Sequence, residues 1–328
     1  MPVSGAPTAN QAMSDLFATF TFAFIVTGPI FAILLLGIVL FRAGLINDAF
    51  VDTGSKLVFN VTLPSLLFIS ISKTDIRHTA NFALIGYAIA GTLCIYFLLE
   101  WLAGRLVRPG EDRGVVVQGA FRSNMGIIGL AYCANAYGEV GLAAASVYMG
   151  PVTILLNVLS VVTLNRALRK HDSVAGTLKA IARNPLILSI LLAMPVAWAQ
   201  VRLPGVLLKT GEYFAQMTLP LALLCTGASL SLKAVREEPR NAVYASAGKL
   251  LLLPVLLTAG AYLLGFRGMD LGILFLLSAS PTAAASYVMV RAMGGNAGLA
   301  ANIIVLTTLA SIAVTSLGIV LLRGQGLM

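Results

Sequence analysis

The sequence predicts an all-α polytopic membrane protein: ten transmembrane helices in two inverted five-helix repeats, with helices 4 and 9 broken and crossed near mid-membrane. Three observations predict it. Hydrophobic residues make up 58% of the 328-residue chain and charged residues 11%, with a mean hydropathy of +0.91, far above that of water-soluble domains. Apolar runs recur from end to end, each long enough to cross about 30 Å of hydrocarbon. Segments of the first half return in the second half in the same order. A transmembrane barrel would instead need alternating strands of about ten residues, and the sequence has no such pattern.

The apolar runs lie roughly at 16–41, 54–72, 82–104, 115–136, 140–164, 185–200, 206–231, 241–264, 270–291 and 297–322. The sixth is short, and the fifth begins close behind the fourth. The stretch before the first run has no Lys or Arg and includes Asp15, so it lacks the basic n-region of a signal peptide and the first run is expected to be retained. The longest polar stretch, "NRALRKHDSVAGTLKAIARN" at 165–184, divides the chain. Residues 1–164 form a first five-helix repeat, 165–184 a short cytoplasmic linker and 185–328 a second five-helix repeat.

Net charge is +9, and the basic residues read as topology signals. With the N-terminus outside, the inner segments hold Arg42, Lys56, Arg105, Arg108, Arg113, Arg166, Arg169, Lys170, Lys179, Arg183, Lys233, Arg236, Arg240 and Arg291. The outer segments hold Lys73, Arg77, Arg202, Lys209, Arg267 and Arg323. That asymmetry favours a multi-pass cell (inner) membrane protein with both termini outside, and no nucleic-acid partner. Cys94, Cys133 and Cys225 fall inside apolar runs without framework spacing and read as small core residues.

The repeat is visible at an offset of 156 to 157. "GPIFAILLL" (28–36) lies over "NPLILSILL" (184–192), "TLPSLL" (62–67) over "TLPLAL" (218–223), and "YGEVGLAAA" (137–145) over "GGNAGLAAN" (294–302). Five spans per half require the second half to enter the membrane from the opposite face, the plan of many secondary transporters, which build their sites from interrupted helices at corresponding positions.

At offset 157, "RSNMG" (122–126) in the fourth run overlays "ASPTA" (279–283) in the ninth, placing Asn124 on Pro281. Pro281 removes a backbone donor and clashes with the preceding turn. Ser123 and Asn124 bond locally to backbone, and Gly126 and Gly129 loosen the turn that follows. Both spans are expected to unwind near the membrane centre, where free amides and the positive end of a half-helix suit an anion. Asn124, Ser123 and Met125, with Ser280, Pro281 and Thr282, are the candidate binding residues. Arg122 has two readings, contact with an anionic substrate or neutralisation of exposed carbonyl ends. Lys249, in the eighth run, reads as charge compensation. Pro64 and Pro220 are expected to kink the second and seventh runs, with Thr62 and Thr218 bonding freed carbonyls. These kinks are either ordinary helix chemistry or, with Asn60, the wall facing the crossing. Gln118 and Asn157 read as interhelical hydrogen-bond residues.

The chain resembles the auxin efflux carrier family, which includes bacterial malonate-type carriers and plant auxin exporters. The resemblance covers nearly the whole chain and rests on "LVFNVTLPSLLF", "RSNMGIIGLA", "NPLILSILLAMP", "TLPLALLCTGASL" and "SASPTAAASYVMVRAMGGN", in that order. It implies a ten-helix fold similar to bile-acid symporters and sodium–proton antiporters. Spans 1, 2, 6 and 7 would form a scaffold that makes a homodimer, and spans 3–5 and 8–10 a mobile transport domain. It also implies that Asn124 matches the asparagine that meets a substrate carboxylate in the plant exporters, and that Pro281 matches the proline of the ninth helix. Ser123 stands where the plant proteins have proline, and the linker is much shorter than theirs. Both differences bear on auxin itself as the substrate.

The function expected is a secondary transporter of small organic carboxylate anions, malonate-like, dicarboxylate or auxin-like, working by alternating access. Its partners are the anion and the lipid bilayer. The competing reading is a membrane-embedded ligand sensor without net transport; a channel would differ in turnover rate. An enzyme is poorly supported, since His78 and His171 are the two histidines and neither an H-E-x-x-H nor a G-K-[ST] phosphate loop occurs. No metal or cofactor is expected. Carboxylates in the runs are scarce: Glu100 and Asp270 lie near their ends, and Asp52 and Asp75 in or beside loops. The orientation is testable by cysteine labelling in intact cells. Cysteines placed at either terminus should react with an impermeant reagent and one placed at 171 should not, and the opposite pattern would reverse the topology.

Overall fold

The computed structural model describes residues 9–73, 81–168, 185–230 and 239–328, and the regular elements among them are all helical. In chain order they are α1 (Ala9–Arg42), α2 (Asp48–Ser72), α3 (Phe82–Leu106), α4 (Arg113–Phe121), α5 (125–137), α6 (139–168), α7 (Pro185–Trp198), α8 (Gly205–Ala228), α9 (239–263), α10 (Gly268–Ala279), α11 (Ala285–Ala292) and α12 (Ala297–Gly324). Gly138, at φ 64° and ψ −150°, separates α5 from α6; a backbone there favours a residue without Cβ. Most of the predicted 165–184 linker lies outside the described residues, as do Asp75, His78 and His171; α6 itself continues to Leu168.

Among the described residues, six helical stretches are long and apolar enough to cross a membrane: Phe17–Arg42, Asp48–Ser72, Phe82–Leu106, Met125–Leu168, Arg240–Leu263 and Ala297–Gly324. Pro185–Trp198 and Gly268–Ala279 are shorter apolar helices. The fourth and ninth apolar runs each appear as two helices separated by non-helical residues, 122–124 and 280–284. Asparagines start three of the long helices: Asn47, Asn81 and Asn296 accept from the amides of Phe50, Leu84 and Leu299 at 2.9, 3.0 and 3.0 Å, each closing one of the orphan donors of a first turn.

The radial distribution suits a bilayer. Large apolar side chains such as Phe24, Leu35, Leu191, Leu192 and Leu263 are exposed, while Thr62, Gln118, Thr218, Lys249 and Ser280 are fully buried. Helices whose outward surface faces lipid have no need to bury their apolar face, and their polar groups must find partners inside.

α1 packs on α8, and α2 on α7 and α8. Gly37 and Gly227 allow the first contact: a Cβ on Gly37 would strike the Leu224 carbonyl, and one on Gly227 the Leu34 carbonyl. Such backbone approach is how membrane helices gain packing energy. α3, α4 and α9 pack together, α10 lies on α9 and α6, and α1 also touches α6 and α12. Two carboxylates fasten this second group at opposite ends of α3. At the α3 start, Asn81 donates to Asp270 at 2.8 Å. Beyond its far end, Asp112 is buried and accepts from Asn241 and Asn296, both at 3.2 Å. α3 has 25 residues, so the two fastenings are about 37 Å apart.

Candidate anion site at the paired helix breaks

α4 ends at Phe121, and Arg122 (φ −81°, ψ 92°) and Asn124 (φ −79°, ψ 62°) leave the helical region. α5 restarts as a π turn over Met125–Gly129, its Gly129 amide reaching back to the Asn124 carbonyl at 3.0 Å. Small size matters at 129, because a Cβ would meet the Leu277 side chain at 2.8 Å. α10 ends at Ala279, and Ser280 turns to φ −59°, ψ 145° ahead of Pro281, in keeping with the extended conformation that proline imposes on the residue before it.

The two unwound segments meet. Ser123 and Thr282 form an antiparallel bridge, with the Asn124 amide donating to the Pro281 carbonyl at 2.7 Å and the Ala283 amide to the Arg122 carbonyl at 3.0 Å. The hydroxyls are exchanged as well. Thr282 donates to the Gly119 carbonyl at 2.6 Å, and Ser123 to the Ser278 carbonyl at 3.3 Å. Each hydroxyl thus closes the carbonyl four residues before the bridge residue opposite it, where the α-helical donor has been pulled away. The Thr282 amide donates to the Thr307 hydroxyl of α12 at 3.1 Å. The bridge sets Ser123 opposite Thr282, and Asn124 bonds directly to Pro281.

Two buried cations flank the bridge. Lys249 lies in a π turn of α9, Gly248–Leu252, and is fully buried. Its ammonium donates to the Ser123 hydroxyl at 2.7 Å and the Ser278 carbonyl at 2.5 Å, a cation against the negative end of α10. Arg122 donates to the Asn157 side-chain oxygen at 2.7 Å and contacts the Met289 sulfur. Neither meets a carboxylate; the ion pair found among the described residues is Lys73–Glu212 at 2.5 Å. Gln118 lies beside Met289 too, its side-chain oxygen buried without a partner.

Of the other expected site residues, Asn124, Met125, Ser280 and Pro281 are buried at the breaks, and the Asn124 side-chain amide makes no hydrogen bond to the described residues. A Cβ added at Gly126 would lie 3.5 Å from the Leu63 side chain of α2 and 3.7 Å from the Met149 sulfur of α6. Thr218 donates to the Phe214 carbonyl at 3.1 Å inside α8, ahead of Pro220. Thr62 differs from expectation. A π turn over Val58–Thr62 realigns the ladder ahead of Pro64, with the Leu63 amide reaching Val58, and the Thr62 hydroxyl is buried without a partner. Asn60 is exposed and donates to Lys56 in its own helix at 2.8 Å. Sequence reasoning missed Thr307 and Met289. The signal for Thr307 was a Thr pair, 307–308, midway along an apolar run.

The fold, with apolar flanks and polar groups and unwound backbone turned inward, defines a polytopic α-helical membrane protein. Residues 22–319 match the model of the family described as "Membrane transport protein", and the chain belongs to that family, the auxin efflux carrier family. It is 24% identical to an "Uncharacterized transporter" of Methanothermobacter thermautotrophicus over 86% of this chain and 93% of the relative. It is 26% identical to a Rhizobium meliloti protein named "Putative malonate transporter" over 83% of this chain and 87% of that one. With the Escherichia coli "Uncharacterized transporter YfdV" it shares 24% identity over 89% and 92% of the two chains.

The hydroxyls divide into one that holds the breaks and one that holds nothing. Thr282→Val leaves the Gly119 carbonyl unpaired in a dry interior and should cost about 1–3 kcal/mol, read as a lowered melting temperature of the purified protein, with Thr282→Ser restoring most of it. Thr62→Val should be neutral or stabilising. Equal melting temperatures for Thr282→Val and wild type would show that the exchanged hydroxyl bonds do not hold the breaks.

Proposed function

We propose that the protein is a secondary carrier of small organic carboxylate anions, malonate-like, dicarboxylate or auxin-like, that holds its substrate at the paired breaks and works by alternating access. The observation that carries this is the combination at Asn124: a buried residue whose side-chain amide stays accessible and makes no cap bond at the start of α5, next to a guanidinium that meets no carboxylate among the described residues. The first amides of a helix have no intrahelical acceptor, and those of α5 and α11 begin on either side of the bridge. Two helix N-termini, two buried cations and an open amide form a site of positive potential. A carboxylate supplies the charge and the acceptors it lacks.

The reading extends to architecture. Ten spans, with α4–α5 and α10–α11 as broken fourth and ninth helices, form two inverted repeats. In support, the exchanged bonds relate Ser123 to Thr282, the two Asp–Asn fastenings relate Asp112 to Asp270 and Asn241 to Asn81, and the left-handed glycines Gly138 and Gly294 each follow a restarted half-helix. α1, α2, α7 and α8 form the scaffold, through which two copies associate. α3–α6 and α9–α12 form the body that moves and carries the site. Both termini face outside the inner membrane. The relative named for malonate makes malonate the first substrate to try.

Transport into proteoliposomes across a carboxylate panel tests the proposal. Asn124→Ala removes a donor to a charged group, worth about 1.5–3 kcal/mol, so affinity should fall roughly tenfold to hundredfold. Arg122→Gln should weaken binding if the guanidinium meets substrate, and lower the yield of folded protein with near-normal affinity if it serves the helix ends. Wild-type transport of every carboxylate by Asn124→Ala would place recognition elsewhere.

A further inference from the structure

A cavity opens away from the breaks. It is an open trough between α3, α4 and α9, walled by Leu102, Val116, Ala120, Ala247, Leu251 and Val255. Its lining is almost wholly apolar and offers nothing to hold a carboxylate. Its shape and ends are more informative. The end of α3, the start of α4 and the start of α9 share one end of the bundle, because Asn241 donates to the Arg108 carbonyl at 3.1 Å and to Asp112. From Tyr244 to Leu256 along α9 the trough runs about 18 Å, close to the roughly 15 Å of one bilayer leaflet. Part-way along, its wall includes Ala120 and Gly248, next in sequence to Phe121–Arg122 and Lys249 of the site.

The mouth is cationic. Arg105 stacks over Trp101 at 3.7 Å, and Arg240 donates to the Tyr244 hydroxyl at 2.9 Å while Tyr244 lines the trough. Arg108 follows Val107, another lining residue. All three arginines are exposed, and none pairs with a carboxylate among the described residues. Asp112 is committed to Asn241 and Asn296, which leaves Glu111 as the exposed acid of this loop. A zwitterionic phospholipid also brings a phosphate, but its tethered ammonium cancels that charge beside three guanidiniums. An anionic phospholipid fits both parts, with an acyl chain along the trough and a phosphate among the arginines, as basic pockets between membrane helices bind anionic headgroups.

We propose that this trough is a binding site for one anionic phospholipid, held by Arg105, Arg108 and Arg240 at the headgroup and by the α3–α4–α9 groove along one chain. The lipid then lies directly behind the broken segment of α4. The site is independent of what the breaks transport.

Native mass spectrometry and thermal unfolding of the purified full-length protein test it, with phosphatidylglycerol and phosphatidylcholine of identical chains as probes. Phosphatidylglycerol should be retained at one per chain and raise the melting temperature above that with phosphatidylcholine. Replacing all three arginines by Gln should weaken its retention about a hundredfold, at about fivefold per basic residue, and abolish the difference between the two lipids. Ala247→Phe fills the trough with the arginines intact, and should reduce retention of phosphatidylglycerol without altering the fold. Equal retention of both lipids by the wild type would overturn the proposal, and so would undiminished phosphatidylglycerol retention in both variants. Stabilisation by glycerol phosphate alone, equal to that by the whole lipid, would also contradict it, because the chain would then contribute nothing.

Discussion

Backbone amides and carbonyls inside a bilayer have no water to turn to, and each one left unpaired costs several kcal/mol. Interrupting two helices near the membrane centre frees several such groups at once. Here the interruptions satisfy each other: two backbone bonds join residues 122–124 to 281–283, and the Ser123 and Thr282 hydroxyls cover the Ser278 and Gly119 carbonyls. Neither break is tenable without the other. That mutual dependence fixes where α4 and α10 approach, what α9 and α12 must supply, and why small and hydroxylated residues cluster there.

The remaining imbalance is electrostatic, and the two ends treat it differently. At the α10 terminus the Lys249 amine donates to a carbonyl and a hydroxyl and pairs with no carboxylate among the described residues. At the α4 terminus the cation is Arg122 itself, which turns away to Asn157 and Met289. A thioether is a weak acceptor for a group with five donors, so the guanidinium keeps much of its capacity. Burial without an anion is expensive for both cations. In the proposed reading, a carboxylate substrate would offset part of that expense. The helix N-termini reinforce the same sign of potential.

Much of this was legible in the sequence, though unevenly. Pro281 and the Ser123–Asn124–Gly126 cluster announce breaks through local chemistry that needs no tertiary information. The apolar runs give the helices because length and composition suffice in a membrane. The bonds across the breaks were not legible, because an offset between halves pairs like residues and does not name which hydroxyl meets which carbonyl. Lys249 was seen as an intramembrane charge, but its targets stand 126 and 29 residues away, and nothing local names them. Asp270 reads as a carboxylate near a span end, because its asparagine partner Asn81 belongs to another helix. Thr62 and Thr218 look equivalent in their "TLP" motifs, yet a π turn alters the ladder in front of one and not the other.

The pairing of the breaks can be measured directly. Opposed residues in a non-hydrogen-bonded antiparallel pair have Cα atoms about 4.5 Å apart, within the range a disulfide spans. In a background with Cys94, Cys133 and Cys225 replaced, Ser123→Cys with Thr282→Cys should oxidise in native membranes. Both thiols should then be lost to maleimide labelling after denaturation and recovered with reductant, while either single variant stays fully labelled. Full labelling of the double variant after oxidation would mean that the two broken helices do not meet at these residues, and the site built on their meeting would fall with it.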